Sequence, residues 1–410
     1  MTPIHHQLET LTPQEKLNLI KTLQKKIETQ PNSDINPIIH YEKQQLLPLI
    51  ATGELTKVTS ATIAYLPIKD STISQPIKTI FQNLPTLFNI YRLSFGSIGL
   101  IVLPIDENDL YESKTLIQTK LKQAIQLCSF IGANCISLAG LLPSITQYGK
   151  EIQSLIPKNI KLSVTTGHAT TTATVLITLE NILQQNQRKI TNEILGFLGL
   201  GSIGQSTLKL ILTTLPHPKE IILCDIPAMK NLINKLISDI KQLGYQGKIT
   251  YFESKENAPE NFYKASVIIG ATNQANILKI NKLNPNTIVI DDSIPHCFDA
   301  DQAYQRMQTK KDIICIEAGI INAPNNIQEN RYYPDEIKPY LAYLPRIIIN
   351  RKNKEITSCI LSSLLTATHN ELPPSTGITN NNLAKKHLNI LNKMNFHAPN
   401  PRINGKDIPI

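Results

Sequence analysis

Glu193-Ile-Leu-Gly-Phe-Leu-Gly-Leu-Gly-Ser-Ile-Gly-Gln-Ser-Thr-Leu-Lys-Leu-Ile-Leu212 reads as a short apolar strand, a glycine turn and an apolar-periodic helix. Its core is Gly199, Gly201 and Gly204 in the spacing G-x-G-x-x-G. The first glycine permits a tight turn, the second lets backbone approach a pyrophosphate, and the third lets helix and strand pack closely. Phosphates would then sit on the helix N-terminus, at the N–H groups of Ser202 and Ile203. A second apolar strand, Glu220-Ile-Ile-Leu-Cys-Asp225, ends on a carboxylate about twenty residues past the turn, where a ribose hydroxyl is held. The stretch predicts a nicotinamide dinucleotide site; the plain alternative is a glycine-rich packing turn.

Working outward, the second strand is followed by a predicted helix over 229–243 and by strands at 248–252, 266–270, 287–291 and 312–317, enough for a doubly wound sheet. Upstream, 97–104, 135–139 and 160–165 read as strands, and 115–131 and 144–155 as helices. That is an α/β layer of its own. Thr166-Gly167-His168 leads into a long helix, 169–185, that would bridge two domains. Downstream, 355–368 and 382–394 have helical periodicity and are expected to fold back on the first domain. The fold class is therefore α/β, with a Rossmann-type nucleotide-binding domain at 190–345, a smaller α/β substrate domain at 46–168 plus 346–410, a bridging helix at 169–189 and a cleft between the domains. Residues 1–45 form a helical leader and linker: Leu8, Leu11, Leu17, Ile20, Leu23 and Ile27 keep helical spacing, and Thr12-Pro13-Gln14-Glu15 is a capping box with proline at N1. Such a helix packs on its own domain or on a second copy in a homo-oligomer.

The 410 residues, 41% of them hydrophobic, suffice for two domains with cores. A start without basic residues or an apolar signal core, and the lack of any eighteen-residue apolar run, lead to the expectation of a cytoplasmic chain with no transmembrane segment. Six cysteines, at 128, 135, 224, 297, 315 and 359, have neither disulfide-framework nor zinc-ligand spacing. A formal charge of +9 favours anionic partners, but no nucleic-acid motif accompanies it.

Several blocks together resemble the long-chain acyl-acyl-carrier-protein reductases and their dehydrogenase relatives. They are Leu103-Pro104, residues 132–140, Ser144-Ile145, Thr165-Thr166-Gly167, the glycine turn, residues 288–295, residues 317–321 and Gly377-Ile378-Thr379, spread over about Leu93 to Pro399. The resemblance implies reduction of a fatty acyl thioester, carried on acyl carrier protein or coenzyme A, to an aldehyde by NADH or NADPH through a cysteine thioester. Cys359 looks like the match to that cysteine. Arg351, Lys352 and Lys354 just before it would favour a thiolate; a small buried core residue is the other reading. Thr166 matches a loop that would seat the substrate carbonyl or the nicotinamide, and His168 would supply a proton, although Thr-Gly before a helix is also ordinary capping chemistry. Gly140 and Ser144 match a substrate loop, with Leu141-Leu142-Pro143 replacing its more polar middle. Asp291-Asp292 ends a strand that faces the cleft by pattern, which makes the two candidates for function, although strand-ending aspartates commonly make turns or cap helices. Two other functions stay open: an oxidoreductase like the shikimate and amino-acid dehydrogenases, which needs a lysine–aspartate pair in the first domain (Lys114 and Lys122 being candidates), and an NAD(H)-binding protein without turnover.

Asp225 decides a first test. A carboxylate at this place accepts from a ribose 2′-hydroxyl and repels a 2′-phosphate, and Pro227 follows with no adjacent arginine, so NADH is expected to bind more tightly than NADPH even though the family leans to NADPH. Parallel titrations of the two cofactors check this, and tighter NADPH binding would contradict it.

Overall fold

In the computed structural model, apolar runs at 194–198, 267–270 and 287–291 pair side by side because each is buried on both faces, as central parallel strands must be. The structure describes residues 46–158, 160–344 and 352–408, together with Thr12, Gln14, Glu15, Asn18, Lys21 and Thr22. By its contacts the chain divides into one unit of Met1–Thr166, Ile327–Ile349 and Ile360–Thr376 and a second of Gly167–Asn326, Asn350–Cys359 and Gly377–Ile410.

The second unit holds six parallel strands: β6 (Ile194–Leu198), β7 (Glu220–Asp225), β8 (Lys248–Glu253), β9 (Val267–Gly270), β10 (Thr287–Asp291) and β11 (Ile313–Glu317). Their order is β11-β10-β9-β6-β7-β8. That is the doubly wound Rossmann order, in which the winding reverses between the first and fourth strands. The reversal falls between β6 and β9, paired from Leu195 with Val267 to Leu198 with Gly270. Helices Ser202–Thr214, Lys230–Gln242 and Ala300–Thr309 make three of the crossovers. Between β8 and β9 the described helical piece is a 3-10 turn, Glu260–Lys264, entered at Pro259.

The other unit is built on β1 (Ser60–Ala64), β2 (Thr86–Leu93), β3 (Gly96–Val102), β4 (Cys135–Leu138), β5 (Ser163–Thr165) and β13 (Gln328–Arg331), in the order β13-β2-β3-β1-β4-β5. Strands β3, β1, β4 and β5 run parallel, and β2 and β13 extend one edge antiparallel. Helix Lys114–Phe130, capped by the Ser113 hydroxyl accepting from Leu116 N at 3.3 Å, buries Ile117, Leu121, Ala124, Ile125 and Cys128.

Several expectations are corrected by local chemistry. The helix expected over 144–155 is broken into Leu142–Ile145 and Lys150–Gln153, because Gln147, Tyr148 and Gly149 take positive φ. The helix expected from 355 begins at Ser358, since residues 355–357 form β14 and pair antiparallel with β12 (Ile320–Asn322). Gly377–Ile410, expected with the first domain, belongs to the second unit. Its helix Asn381–Lys393 packs on helices His168–Gln185 and Ser202–Thr214, with the Thr170 hydroxyl 3.0 Å from His387 Nδ1. In the leader, the capping box forms: Thr12 N and Oγ1 donate to Glu15 Oε2 at 2.8 and 2.7 Å. The leader's apolar positions and the 30–37 linker lie outside the described residues.

One ion cluster in the first unit is buried. Lys78 Nζ, on helix Ser71–Ile80, lies 2.7 Å from Asp106 Oδ2 and 2.6 Å from Asp109 Oδ2, and Ser74 Oγ donates to Asp106 at 2.6 Å. Removing one partner strands buried charge, which costs about 3–5 kcal/mol. Lys78→Met is expected to lower the unfolding free energy by that order in urea titration, and pairing it with Asp106→Asn is expected to recover part of the loss. An unchanged midpoint for the single variant would show that the cluster is solvated.

Candidate functional site

The glycine turn at the end of β6 leaves no room for a side chain at 199 or 204. Gly199 has φ +88°, and a Cβ there would stand 2.4 Å from the carbonyl oxygen of Ala271, at the end of β9. A Cβ on Gly204 would stand 2.1 Å from the Gly199 carbonyl oxygen, so helix Ser202–Thr214 packs against the strand end at backbone distance. Gly201 caps that helix in extended conformation, leaving the first N–H groups, those of Ser202 and Ile203 among them, at its N-terminus. Asp225 ends β7 beside this turn: Oδ2 accepts from Leu200 N at 2.6 Å and Oδ1 from Ile226 N at 2.7 Å. Burial raises its pKa, and the two N–H bonds partly offset that. A carboxylate offers about four lone-pair sites, so two remain for ribose hydroxyls. Gly199, Gly201, Ser202, Ile203, Gly204 and Asp225 are thus brought together in one place: the clashes at 199 and 204 are with the chain's own backbone and enforce close strand–helix packing, and the helix N-terminus this leaves beside Asp225 is of the kind that holds a pyrophosphate.

Thr379 joins this place from the C-terminal segment. Its N donates to Ser202 Oγ at 3.1 Å, and its carbonyl accepts from Ser206 Oγ at 3.1 Å. The sequence marks the Gly377-Ile378-Thr379 block without revealing this partner.

At the carboxyl ends of β10 and β11 lies a charged cluster of which sequence reasoning marked Asp291 but not its partners His296, Glu355 and Arg402. Asp291 accepts from Ser293 N and Cys297 N, each at 3.2 Å, and from His296 Nδ1 at 2.8 Å. His296 Nε2 is 3.2 Å from Asn404 Oδ1 and 3.7 Å from Glu317, and Glu317 is 3.5 Å from Arg402, which also pairs with buried Glu355. Burial alone would push the His296 pKa down, but its bonds to Asp291 and Glu317 and their charges raise it to about 10. The available signal is a histidine five residues after a strand-ending aspartate; its partners at 317 and 402 are remote in sequence.

Cys359 is in the first turn of helix Ser358–Thr368, against Gly167: a Cβ on Gly167 would lie 3.2 Å from Cys359 Cβ. It is half-buried, whereas the other five cysteines are buried, and burial pushes their thiols above the ordinary range. Lys352 does not serve it, because its Nζ pairs with Asp407 at 2.8 Å; Arg351 lies outside the described residues. His168, first residue of helix His168–Gln185, is also buried, which lowers its pKa to about 4 and keeps it neutral near pH 7.

The remaining expected residues lie in the first unit. Thr166 is buried just after β5, and its N donates to Ser375 O at 2.9 Å. Gly140 follows β4 with φ +60°, where a Cβ would meet the Tyr65 ring at 2.7 Å. Ser144 is exposed. Among the described residues, no group of three His, Cys, Asp or Glu is placed to hold a metal, and no helix is long and apolar enough to cross a membrane.

No family model matches the chain, and no curated protein does. Solved structures similar to it include glutamate dehydrogenase 2 of Plasmodium falciparum, 14% identical over 94% of this chain and 90% of that one, with a TM-score of 0.38. Shikimate 5-dehydrogenase from Listeria monocytogenes, in complex with shikimate and NAD, is 11% identical over 63% and 86%, with a TM-score of 0.32. L-tryptophan dehydrogenase from Nostoc punctiforme is 10% identical over 82% and 89%, also at 0.32. The Rossmann assignment rests on the strand order and register given above, not on these likenesses.

The His296 cluster generates a pH test. With a folded pKa of about 10 against 6.5 in the unfolded chain, His296 contributes stability that is fully present below about pH 6.5 and is lost as pH rises toward 10. Wild type is therefore expected to lose more unfolding free energy between pH 6.5 and 10 than His296→Asn, by an amount on the order of a few kcal/mol. Parallel pH curves for the two proteins would contradict this.

Proposed function

We propose that this chain is an NAD(H)-dependent oxidoreductase that reduces a fatty acyl thioester, on acyl carrier protein or coenzyme A, to an aldehyde through a thioester on Cys359. The observation that carries the thioester step is the place of Cys359: half-buried, in the first turn of a helix and pressed against the Gly167 backbone. A thiol at a helix N-terminus is where nucleophilic cysteines are found. The glycine turn and Asp225 support the cofactor, and Asp225, with Pro227 beyond it, supports NADH over NADPH.

In this reading Cys359 takes the acyl group from its carrier and splits one difficult step into two. The reduced nicotinamide dinucleotide, when bound, supplies hydride. Thr166 or a nearby backbone N–H stabilises the oxyanion. His168 is neutral and buried, which suits holding the nicotinamide or the acyl group in place better than delivering a proton. Gly140 and Ser144 belong to the substrate loop, and the first unit is the substrate domain.

A second reading has one observation in its favour. A dehydrogenase of hydroxy or amino acids needs a lysine–aspartate pair, and Lys78 with Asp106 is such a pair, just past the carboxyl end of β3, where α/β sheets bind ligands. Lys114 is spent on an exposed pair with Glu151. A panel of acyl thioesters, hydroxy acids and amino acids, followed by nicotinamide absorbance, separates the two readings, and binding without turnover on any of them would mark an NAD(H)-binding protein. Cys359→Ser is expected to keep NADH affinity and lose aldehyde formation by at least about 100-fold, while wild type given palmitoyl-coenzyme A without NADH gains one acyl mass on the peptide containing Cys359. Near-normal turnover by Cys359→Ser would remove the covalent route.

A further inference from the structure

The block Gly377-Ile378-Thr379 meets the glycine turn through backbone bonds, and these leave the threonine side chain unexplained. Thr379 N donates to Ser202 Oγ at 3.1 Å and the Thr379 carbonyl accepts from Ser206 Oγ at 3.1 Å, so the residue is rooted along the first turn of helix Ser202–Thr214. Thr379 is 6% exposed, and its hydroxyl, enclosed by protein, has no hydrogen-bond partner among the described residues. Ser202 is 2% exposed; its oxygen accepts the Thr379 N–H, and no acceptor for its own proton stands among the described residues. The preceding Ile378 is exposed, so Thr379 lies one residue from solvent.

A hydroxyl buried without a partner costs free energy, and folded chains keep few of them, so each calls for a reason. The polar groups around this one are of a single kind. The first intrahelical bond runs from Gln205 N to Gly201 O at 3.2 Å, which leaves the N–H groups of Ser202, Ile203 and Gly204 ahead of the hydrogen-bonded ladder. Leu200 N already donates to Asp225. Two hydroxyl protons therefore gather with these amide protons at the positive end of a thirteen-residue helix. Donors gathered without acceptors are what an anion requires. The helix's own cation, Lys209, is paired with Asp239 at 2.6 Å, and Asp225 sets a carboxylate beside the turn. A bridging diphosphate, with a single charge on each of its phosphates, suits such a set better than a terminal phosphate carrying about −1.5 to −2.

We propose that Thr379 is a phosphate ligand of the dinucleotide site: its hydroxyl, with that of Ser202 and the helix N–H groups, donates to the bridging diphosphate of NADH, and the C-terminal segment supplies one wall of the site. The inference rests on the dinucleotide reading above and needs neither the thioester step nor Cys359. Binding carries the Thr379 hydroxyl from its enclosed position to the phosphate by a step between staggered χ1 wells, while Ser202 and Ser206 hold the backbone. Ser202 serves twice, its oxygen accepting from Thr379 N and its proton turned to the ligand, which couples the segment to the cofactor. A hydroxyl kept for a ligand lowers the stability of the ligand-free chain.

The test compares the full chain as wild type, Thr379→Val and Thr379→Ser. Two readouts are independent of turnover: the urea midpoint without ligand, and calorimetric titration with NADH and with ADP-ribose, which carries the same diphosphate. Valine keeps the shape and removes the hydroxyl. Thr379→Val is therefore expected to unfold at the wild-type midpoint or above it, because no bond is lost, while its affinity for both ligands falls by about 10-fold or more, as for a lost hydrogen bond to a charged group. Thr379→Ser, which keeps the hydroxyl, is expected to stay within about threefold of wild type. A midpoint that drops in Thr379→Val, or a Thr379→Val chain that does not fold, overturns the proposal, since the hydroxyl then has a structural partner. A loss confined to NADH, with ADP-ribose unaffected, overturns the phosphate assignment, and an equal loss in Thr379→Ser shows that the methyl group and not the hydroxyl is at work. Should wild type bind neither ligand, the dinucleotide reading fails and the proposal with it; wild-type binding retained in full by Thr379→Val removes Thr379 alone.

Discussion

A carbonyl oxygen 2.1 Å from the point where residue 204 would carry a Cβ is the constraint on which the second unit's sheet and its glycine turn depend. Only glycine at 204 lets helix Ser202–Thr214 start directly over the end of β6. Only with that start do the helix N–H groups face the space beyond the strand. Gly199 meets the same limit against Ala271, which ties the turn to β9. The turn therefore sits where β6 and β9 part, the reversal at which α/β sheets bind ligands at the carboxyl ends of their strands. Asp225 completes it from β7 by accepting the Leu200 N–H.

Charge burial organises the β10 and β11 half of the same sheet. Asp291, His296, Glu317, Arg402 and Glu355 form one continuous chain of contacts from β10 to the C-terminal segment. Each is buried or half-buried, and each is tolerable only because its neighbour is of opposite sign. This is how a remote segment, 402–403, is held near strands ending at 291 and 317, and it leaves Asp292 as the carboxyl outside the pairing. In the first unit, Lys78, Asp106 and Asp109 do the same for helix Ser71–Ile80 and the segment after β3.

Legibility in the sequence follows the range of the physics. The strand at 287–291 and the crossover helices at 202–214 and 230–242 are readable because burial on both faces, or an apolar stripe, writes itself into adjacent residues. The glycine turn is readable because the steric limit between Gly199 and Gly204 acts within six residues. The break at Gln147-Tyr148-Gly149 is hidden, since non-glycine residues at positive φ leave only a weak local signal. Strand β14 is hidden because residues 355–357 are strand only through pairing with 320–322. Helix Asn381–Lys393 is visible in the sequence but its partner is not, since amphipathicity shows that a face is buried and not against what. At the site, Asp225 and Cys359 can be named from local context. The roles of His296, Glu317, Arg402 and Thr379 depend on partners as many as 177 residues away and cannot.

Either enzymatic reading requires a dinucleotide in the turn at Gly199, Gly201 and Gly204. Calorimetric titration of the full chain with NADH tests that claim most directly, with ADP-ribose as competitor to isolate the half of the ligand that the turn and Asp225 would hold. One equivalent of NADH per chain, displaced by ADP-ribose, is the expected result. No binding up to millimolar NADH, or binding indifferent to ADP-ribose, would contradict it.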